Sequence, residues 1–138
     1  MDKRIVKFIQ EHYLLTLATS NENLAYCCSV YYVYNKKENS LIFSSENSTK
    51  HVQDFIKNPN VAGSIALETK LVENIQGVQL LGVISELKEE ELDAAKKIYI
   101  KAFPNAKKMS PHLWEMKLNF IKMTHNQLGF GTKLIWEA

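Results

Sequence analysis

The sequence predicts a mainly β protein of the α+β class, a barrel of about seven strands with three short helices packed outside it. Three observations carry this. Apolar residues alternate or cluster over short runs at regular intervals along most of the 138 residues. Polar turn clusters such as Ser20-Asn21-Glu22-Asn23 and Asn35-Lys36-Lys37-Glu38-Asn39-Ser40 separate those runs. Helical spacing is confined to three short segments, and so many strands in so short a chain favour a closed or nearly closed sheet.

Taken in order, Ile5, Phe8 and Ile9 lie at helical spacing and predict an amphipathic helix over residues 2–12. Tyr13 to Thr19, rich in Leu and Thr, and Ala25 to Tyr34, rich in Val and Tyr, predict two strands joined by the Ser20–Asn23 turn. Leu41 to Ser45 follows as a third, giving an antiparallel meander. Val52, Phe55 and Ile56 share one face of a helix over His51 to Lys57, with a Ser or Thr just ahead as N-cap and Pro59 as the stop. Val61 to Leu67 and Val78 to Ile84 are strand-like. Glu89-Glu90-Glu91 then loads acid into the first turn of a helix whose stripe is Leu92, Ala95, Tyr99 and Ala102, and Pro104 ends it. Trp114, Met116, Leu118 and Phe120 alternate, which favours a strand from Leu113 to Met123, although Ile121 and Met123 blur the pattern. Leu134 to Trp136 forms the last strand. Between Pro104 and His112 propensity and pattern disagree, and no element is assigned. Nothing divides residues 1–138 into two domains.

Composition narrows the function. Seventeen basic residues stand against fifteen acidic ones, and Arg4 is the only arginine. Because arginine is the usual tool for bidentate phosphate and base recognition, no nucleic acid is expected as partner. Any phosphate would have to be held by lysine, hydroxyls and backbone amides. No run approaches the ~20 apolar residues of a membrane span, and the charged N-terminus lacks a signal-peptide core. Cys27 and Cys28 are neighbours that point to opposite faces of a strand, so a reduced, cytoplasmic protein is expected.

The most informative local stretch is Phe43-Ser44-Ser45-Glu46-Asn47-Ser48-Thr49-Lys50-His51, where a strand end runs through hydroxyl residues into a helix start. Free amides, the helix dipole and Lys50 suit an anion there, but so does an ordinary cap, and caps outnumber phosphate sites. Gly129-Phe130-Gly131 lacks the third glycine of a dinucleotide fingerprint, and no phosphate loop or nucleophile elbow occurs. His12, His51, His112 and His125 lack zinc-site spacing, so no metal is expected. Tyr26, Tyr31, Tyr32 and Tyr34 could stack on a planar ligand or simply be core and interface material.

In order along the chain stand Leu14-Leu15-Thr16-Leu17-Ala18-Thr19, Leu41-Ile42-Phe43-Ser44-Ser45, Ser48-Thr49-Lys50-His51 followed by Asn58-Pro59-Asn60-Val61-Ala62, then Gln76-Gly77-Val78-Gln79-Leu80-Leu81-Gly82, and finally Leu128-Gly129-Phe130-Gly131-Thr132-Lys133-Leu134-Ile135-Trp136. With these marks the chain resembles the FMN-binding split-barrel superfamily that includes the pyridoxamine 5′-phosphate oxidases, closest to its YhbP-like branch, from about Tyr13 to Trp136. The resemblance implies a split β-barrel of six to seven antiparallel strands and a homodimer with flavin at the subunit interface. It implies that Ser45, Thr49, Lys50 and His51 hold the FMN phosphate, and it tips the weighing of that stretch from cap to site. Backbone around Ser29, Val30 and Tyr31 would meet the flavin ring, and the partner's Gln76 or Gln79 and Trp136 would complete the site. Trp136 could equally serve barrel closure. The oxidases proper carry an arginine where this chain has Ser29, a lysine where it has Tyr34, and Arg and His near the C-terminus for the substrate phosphate. Pyridoxamine-phosphate oxidation is therefore not expected, and FMN is expected with fewer charge-assisted contacts and modest affinity. The expected function is an FMN-binding oxidoreductase or flavin reductase acting on a small molecule. No catalytic side chain is assigned, because the cofactor carries that chemistry. The alternatives are a non-enzymatic barrel holding haem or another planar ligand, through His51, His112 or His125, or an apo structural dimer.

Overall fold

A computed structural model describes residues 1–138. Helix α1 (Lys3–Glu11) starts at Asp2, whose carboxylate accepts from the Arg4 amide at 2.8 Å. Strands β1 (Leu14–Asn21) and β2 (Leu24–Asn35) meet in a two-residue hairpin turn. Its central residues Glu22 and Asn23 both have positive φ, as the tightest hairpins require. After them come β3 (Ser40–Ser44), α2 (Lys50–Lys57), β4 (Asn60–Ala66), β5 (Gln76–Glu86), α3 (Glu89–Ala102), β6 (Leu113–His125) and β7 (Lys133–Glu137). The stretch without a sequence assignment holds a 3₁₀ turn at Pro104–Met109.

All seven strands form one antiparallel sheet in the order β3-β2-β1-β4-β5-β6-β7. It closes because β6 is long enough for two neighbours on one edge. Its first half pairs with β3, from Leu113 opposite Ser44 to Lys117 opposite Ser40, and its second half pairs with β7 around Ile121 and Trp136. The sheet is thereby a barrel split along β6, as the resemblance implied.

Alternation along the strands turns Leu15, Leu17, Val30, Tyr32, Phe43, Val61, Ile65, Val78, Leu80, Met116 and Ile121 inward. Ile5, Phe8 and Ile9 of α1 and Val52 and Phe55 of α2 add to the same core, and Tyr32 ties α1 down by donating to the Ile9 carbonyl at 2.7 Å. A smaller cluster of Ile42, Leu87, Ala95, Tyr99 and Leu113 fastens α3 to the opposite side of β3. Gly82 sits at the one irregularity of the β5–β6 ladder, where a Cβ would come within 2.5 Å of the Lys117 carbonyl oxygen and 3.0 Å of Met116. Gly82→Ala should therefore destabilise the protein by about 2 kcal/mol through overpacking against backbone. Denaturant unfolding measures this, and an unchanged midpoint would mean that the ladder yields freely there.

Candidate functional site

The site grows from the end of β3. Ser45 is buried and pinned on both sides of its backbone, its amide donating to the His112 carbonyl at 3.0 Å and its carbonyl accepting from Trp114 Nε1 at 3.1 Å. His112 stacks flat on Trp114 with centroids 4.9 Å apart, so both histidine and indole serve this anchor. So held, Ser45 Oγ lies 2.7 Å from His51 Nε2, and Thr49 Oγ1 lies 3.4 Å from the same nitrogen.

Thr49 occupies the N-cap position of α2, but its hydroxyl does not cap the helix. It donates instead to the Glu46 carbonyl at 2.8 Å, closing the tight turn that brings the chain from β3 into α2. The expected side-chain cap is thus absent, because the turn has taken the hydroxyl. The amides of Lys50, His51 and Val52 consequently have no acceptor within the chain. Free amides at the positive end of a helix dipole favour an anion.

Lys50 turns away from this cluster. Its Nζ pairs with Asp54 at 3.0 and 3.1 Å and stands 4.9 Å over the Tyr26 ring, while Thr19 donates to the same carboxylate at 3.1 Å. The Lys50 ammonium, with help from Thr19, holds the Asp54 carboxyl below the usual carboxylate range. Burial lowers the pKa of His51, against a smaller opposing pull from Asp54. The depressed pKa favours neutral His51 in the fold, so its contribution to stability is full above the ordinary histidine pKa of ~6.5 and is lost as pH falls below it. The stability difference between pH 7.5 and pH 5.5 should accordingly be smaller in His51→Gln than in the unaltered protein. Equal differences in the two proteins would contradict this account of His51.

Beside Ser45 and His51 opens a groove of about 440 Å³, within the usual range for small-molecule sites. One wall is Ser29, Val30 and Tyr31 of β2, the floor is Ser44, Ser45 and Glu46, and the far wall is Tyr99, Phe103, Ala106, Met109 and Pro111. Tyr99 donates to the Tyr31 carbonyl at 3.3 Å, so the far wall is bonded to the near one. Five of the residues singled out from sequence therefore line this groove, namely Ser29, Val30, Tyr31, Ser45 and His51, and Thr49 adjoins it at 3.4 Å from His51 Nε2. The far wall was missed, because it lies at the end of α3 and in the stretch where no element could be assigned.

The other four lie elsewhere. Beyond Lys50, Gln79 points outward from β5, in the same row as Ser29, Thr16 and Ser64 and three strands away from Ser29, or about 14 Å at the usual ~4.8 Å strand spacing. Gln76 has the opposite facing and lines a cleft with Arg4, Glu11 and His125, donating to Gln127 at 3.3 Å. Trp136 pairs opposite Ile121 and packs half-buried on the main core. The next row, Cys27, Ala18, Ala62 and Leu81, and the flanking pairs Tyr31–Leu14 and Asn60–Val83 continue the outward face. None of these residues is charged, in a chain that is 23% charged. Burial pushes the Cys28 thiol up to about 11, so it remains protonated at neutral pH.

A sheet closed through β3 and β6, with β7 continuing past the split and helices short and peripheral, defines a split-barrel protein. Residues 1–125 match the family described as pyridoxamine 5′-phosphate oxidase. A UPF0306 protein of Yersinia pestis bv. Antiqua (strain Angola) is 37% identical over 132 residues, covering 96% of this chain and 90% of that protein. The chain belongs to the pyridoxamine 5′-phosphate oxidase family, in its UPF0306, or YhbP-like, branch. Among solved structures, a heme-binding protein from Mycobacterium smegmatis superposes with a TM-score of 0.77 at 17% identity, over 94% of this chain and 57% of that one. A FAD-binding protein from Mesorhizobium loti gives 0.75 at 13% identity, over 89% and 93%. These likenesses are of fold. No helix is long and apolar enough to cross a membrane.

Proposed function

We propose that the protein is a homodimeric flavin-binding protein of the FMN type that serves as an oxidoreductase or flavin reductase. The observation that carries this is the set of amides at the start of α2 with no acceptor inside the chain. Three free amides, the Ser45 hydroxyl and the His51 imidazole stand together at the start of α2, and Ser45 and His51 also line a groove open on β2. These donors fit a phosphate group, and the groove beyond them fits a planar ring against Ser29–Tyr31. When bound, the flavin supplies reversible hydride and electron transfer. The chain's own residues bind and orient: the helix end and Ser45 fix the phosphate, and β2 backbone positions the ring. Lys50 acts at second hand, by neutralising Asp54 one turn further along the helix.

The outward face of β1, β4 and β5, uncharged up to Lys122 beside Gln79 on β6, supports the dimer. In a two-fold contact the same patch meets itself. An axis through the middle of the row Ser29–Thr16–Ser64–Gln79 carries the partner subunit's Gln79 to the Ser29 end, beside the groove. This favours Gln79 over Gln76 as the residue a partner lends to the ring. Trp136, held on the core, keeps its role in closing the barrel. A soluble, reduced setting such as the cytoplasm suits the two free thiols.

Haem is the second reading, favoured by the heme-binding M. smegmatis protein and by His51 and Met109 on the same groove. One spectrum separates them. Visible absorption of the purified protein, before and after adding FMN, should show oxidised-flavin bands. A Soret band supports haem instead, and a protein that stays colourless in excess FMN sinks the flavin reading.

A further inference from the structure

The groove's far wall has a chemistry of its own. Tyr99, Phe103 and Met109 come from α3 and the following 3₁₀ turn, which α3 anchors to the barrel through Ala95, Tyr99, Ile42 and Leu113. Phe103 meets Tyr31 edge-on with centroids 6.1 Å apart and lies 4.9 Å from Tyr99. Met109 is 77% exposed, so its thioether is free to settle on whatever enters. No lysine or arginine lines the groove, and its one carboxylate is Glu46 at the floor. An anionic compound brought against this wall would lose water and meet no cation among the lining side chains, since Lys107 and Lys108 of the same turn lie outside the lining, at a cost that a neutral ring avoids. Aromatic edges and faces and a thioether, by contrast, all make favourable contacts with a planar ring.

From this we infer that the second ligand of the site, the compound that meets the cofactor, is an uncharged planar aromatic molecule selected by the Tyr99–Phe103–Met109 wall. The inference rests on the flavin reading above, and it concerns binding by this wall alone.

The test compares 1,4-naphthoquinone with 1,4-naphthoquinone-2-sulfonate, which share a ring and differ by one negative charge. Each is titrated into oxidised, FMN-loaded protein, and binding is read from the perturbation of flavin absorbance, without turnover. The neutral quinone should bind about tenfold more tightly than the sulfonate, since an unpaired charge must be desolvated on the apolar wall. Met109→Lys, at an exposed position that threatens no core packing, should narrow or invert that ratio by supplying the missing cation. Equal or tighter binding of the sulfonate to the unaltered protein would overturn the inference, as would failure of both quinones to bind, and either result leaves the flavin reading standing. A ratio unmoved by Met109→Lys would overturn the role given to the wall. If FMN itself is not taken up, the flavin reading fails and this inference fails with it.

Discussion

Replacing Ala62 by Glu should convert the proposed dimer into monomers and, with it, abolish flavin uptake. Ala62 lies between Ala18 and Leu81 in the middle of the outward face of β1, β4 and β5, where no residue is charged. A specific interface needs about 800 Å² from each partner, and burying an unpaired carboxylate at its centre costs several kcal/mol. Because the position faces outward, the barrel core of Leu15, Leu17, Val61 and Ile65 is untouched and the fold should persist. Sedimentation velocity reads the outcome: a dimer for the unaltered protein and a folded monomer for Ala62→Glu, checked by circular dichroism. A folded dimer that tolerates the glutamate would place the subunit contact elsewhere and remove the partner subunit's Gln79 from the site.

The second large effect is expected at His51. Replacing it by Ala should weaken FMN binding roughly 10- to 100-fold, the range for a hydrogen bond to a charged group, while leaving riboflavin binding nearly unchanged. Its Nε2 lies 2.7 Å from Ser45 Oγ and its own amide is one of the three free at the start of α2, so the proposed phosphate position borders both side chains. Riboflavin carries the same ring without the phosphate, and the difference between the two ligands isolates this end of the groove. Fluorescence quenching of each flavin measures it. Equal weakening of both ligands would mean that His51 shapes the ring pocket and does not hold the phosphate.

The strands and helices were largely legible because their signals are local. The alternation of Leu15 and Leu17, or of Trp114, Met116 and Leu118, marks a strand before any partner is known. Within residues 2–12 the helical stripe of Ile5, Phe8 and Ile9 held, with α1 at Lys3–Glu11. Closure of the barrel was less accessible, since pairing Phe43 with Trp114 joins residues that no periodicity connects. The same holds for the anchor around Ser45, which depends on His112 and Trp114 arriving from a distant strand.

Lys50 shows where residue type misleads. A lysine at a helix start beside hydroxyls suggests an anion ligand, yet Asp54 stands one turn on, at the spacing that pairs charges along a helix. That spacing was readable, and in the structure it wins, because Asp54 is only 4% exposed and requires its cation. What remains for a phosphate is mostly uncharged: amides, hydroxyls and a histidine that burial keeps neutral. The scarcity of arginine thus fits the proposed site, which would bind a phosphate through a helix end instead of guanidinium forks.

The central claim is that this helix end holds a flavin phosphate in each subunit of a dimer. Equilibrium titration of the purified protein with FMN and with riboflavin, side by side, tests it most directly. The account predicts saturation at one FMN per chain, with riboflavin bound distinctly more weakly because it forfeits the α2 amides, Ser45 and His51. Riboflavin binding as tightly as FMN, or no saturable binding of FMN at all, would contradict it.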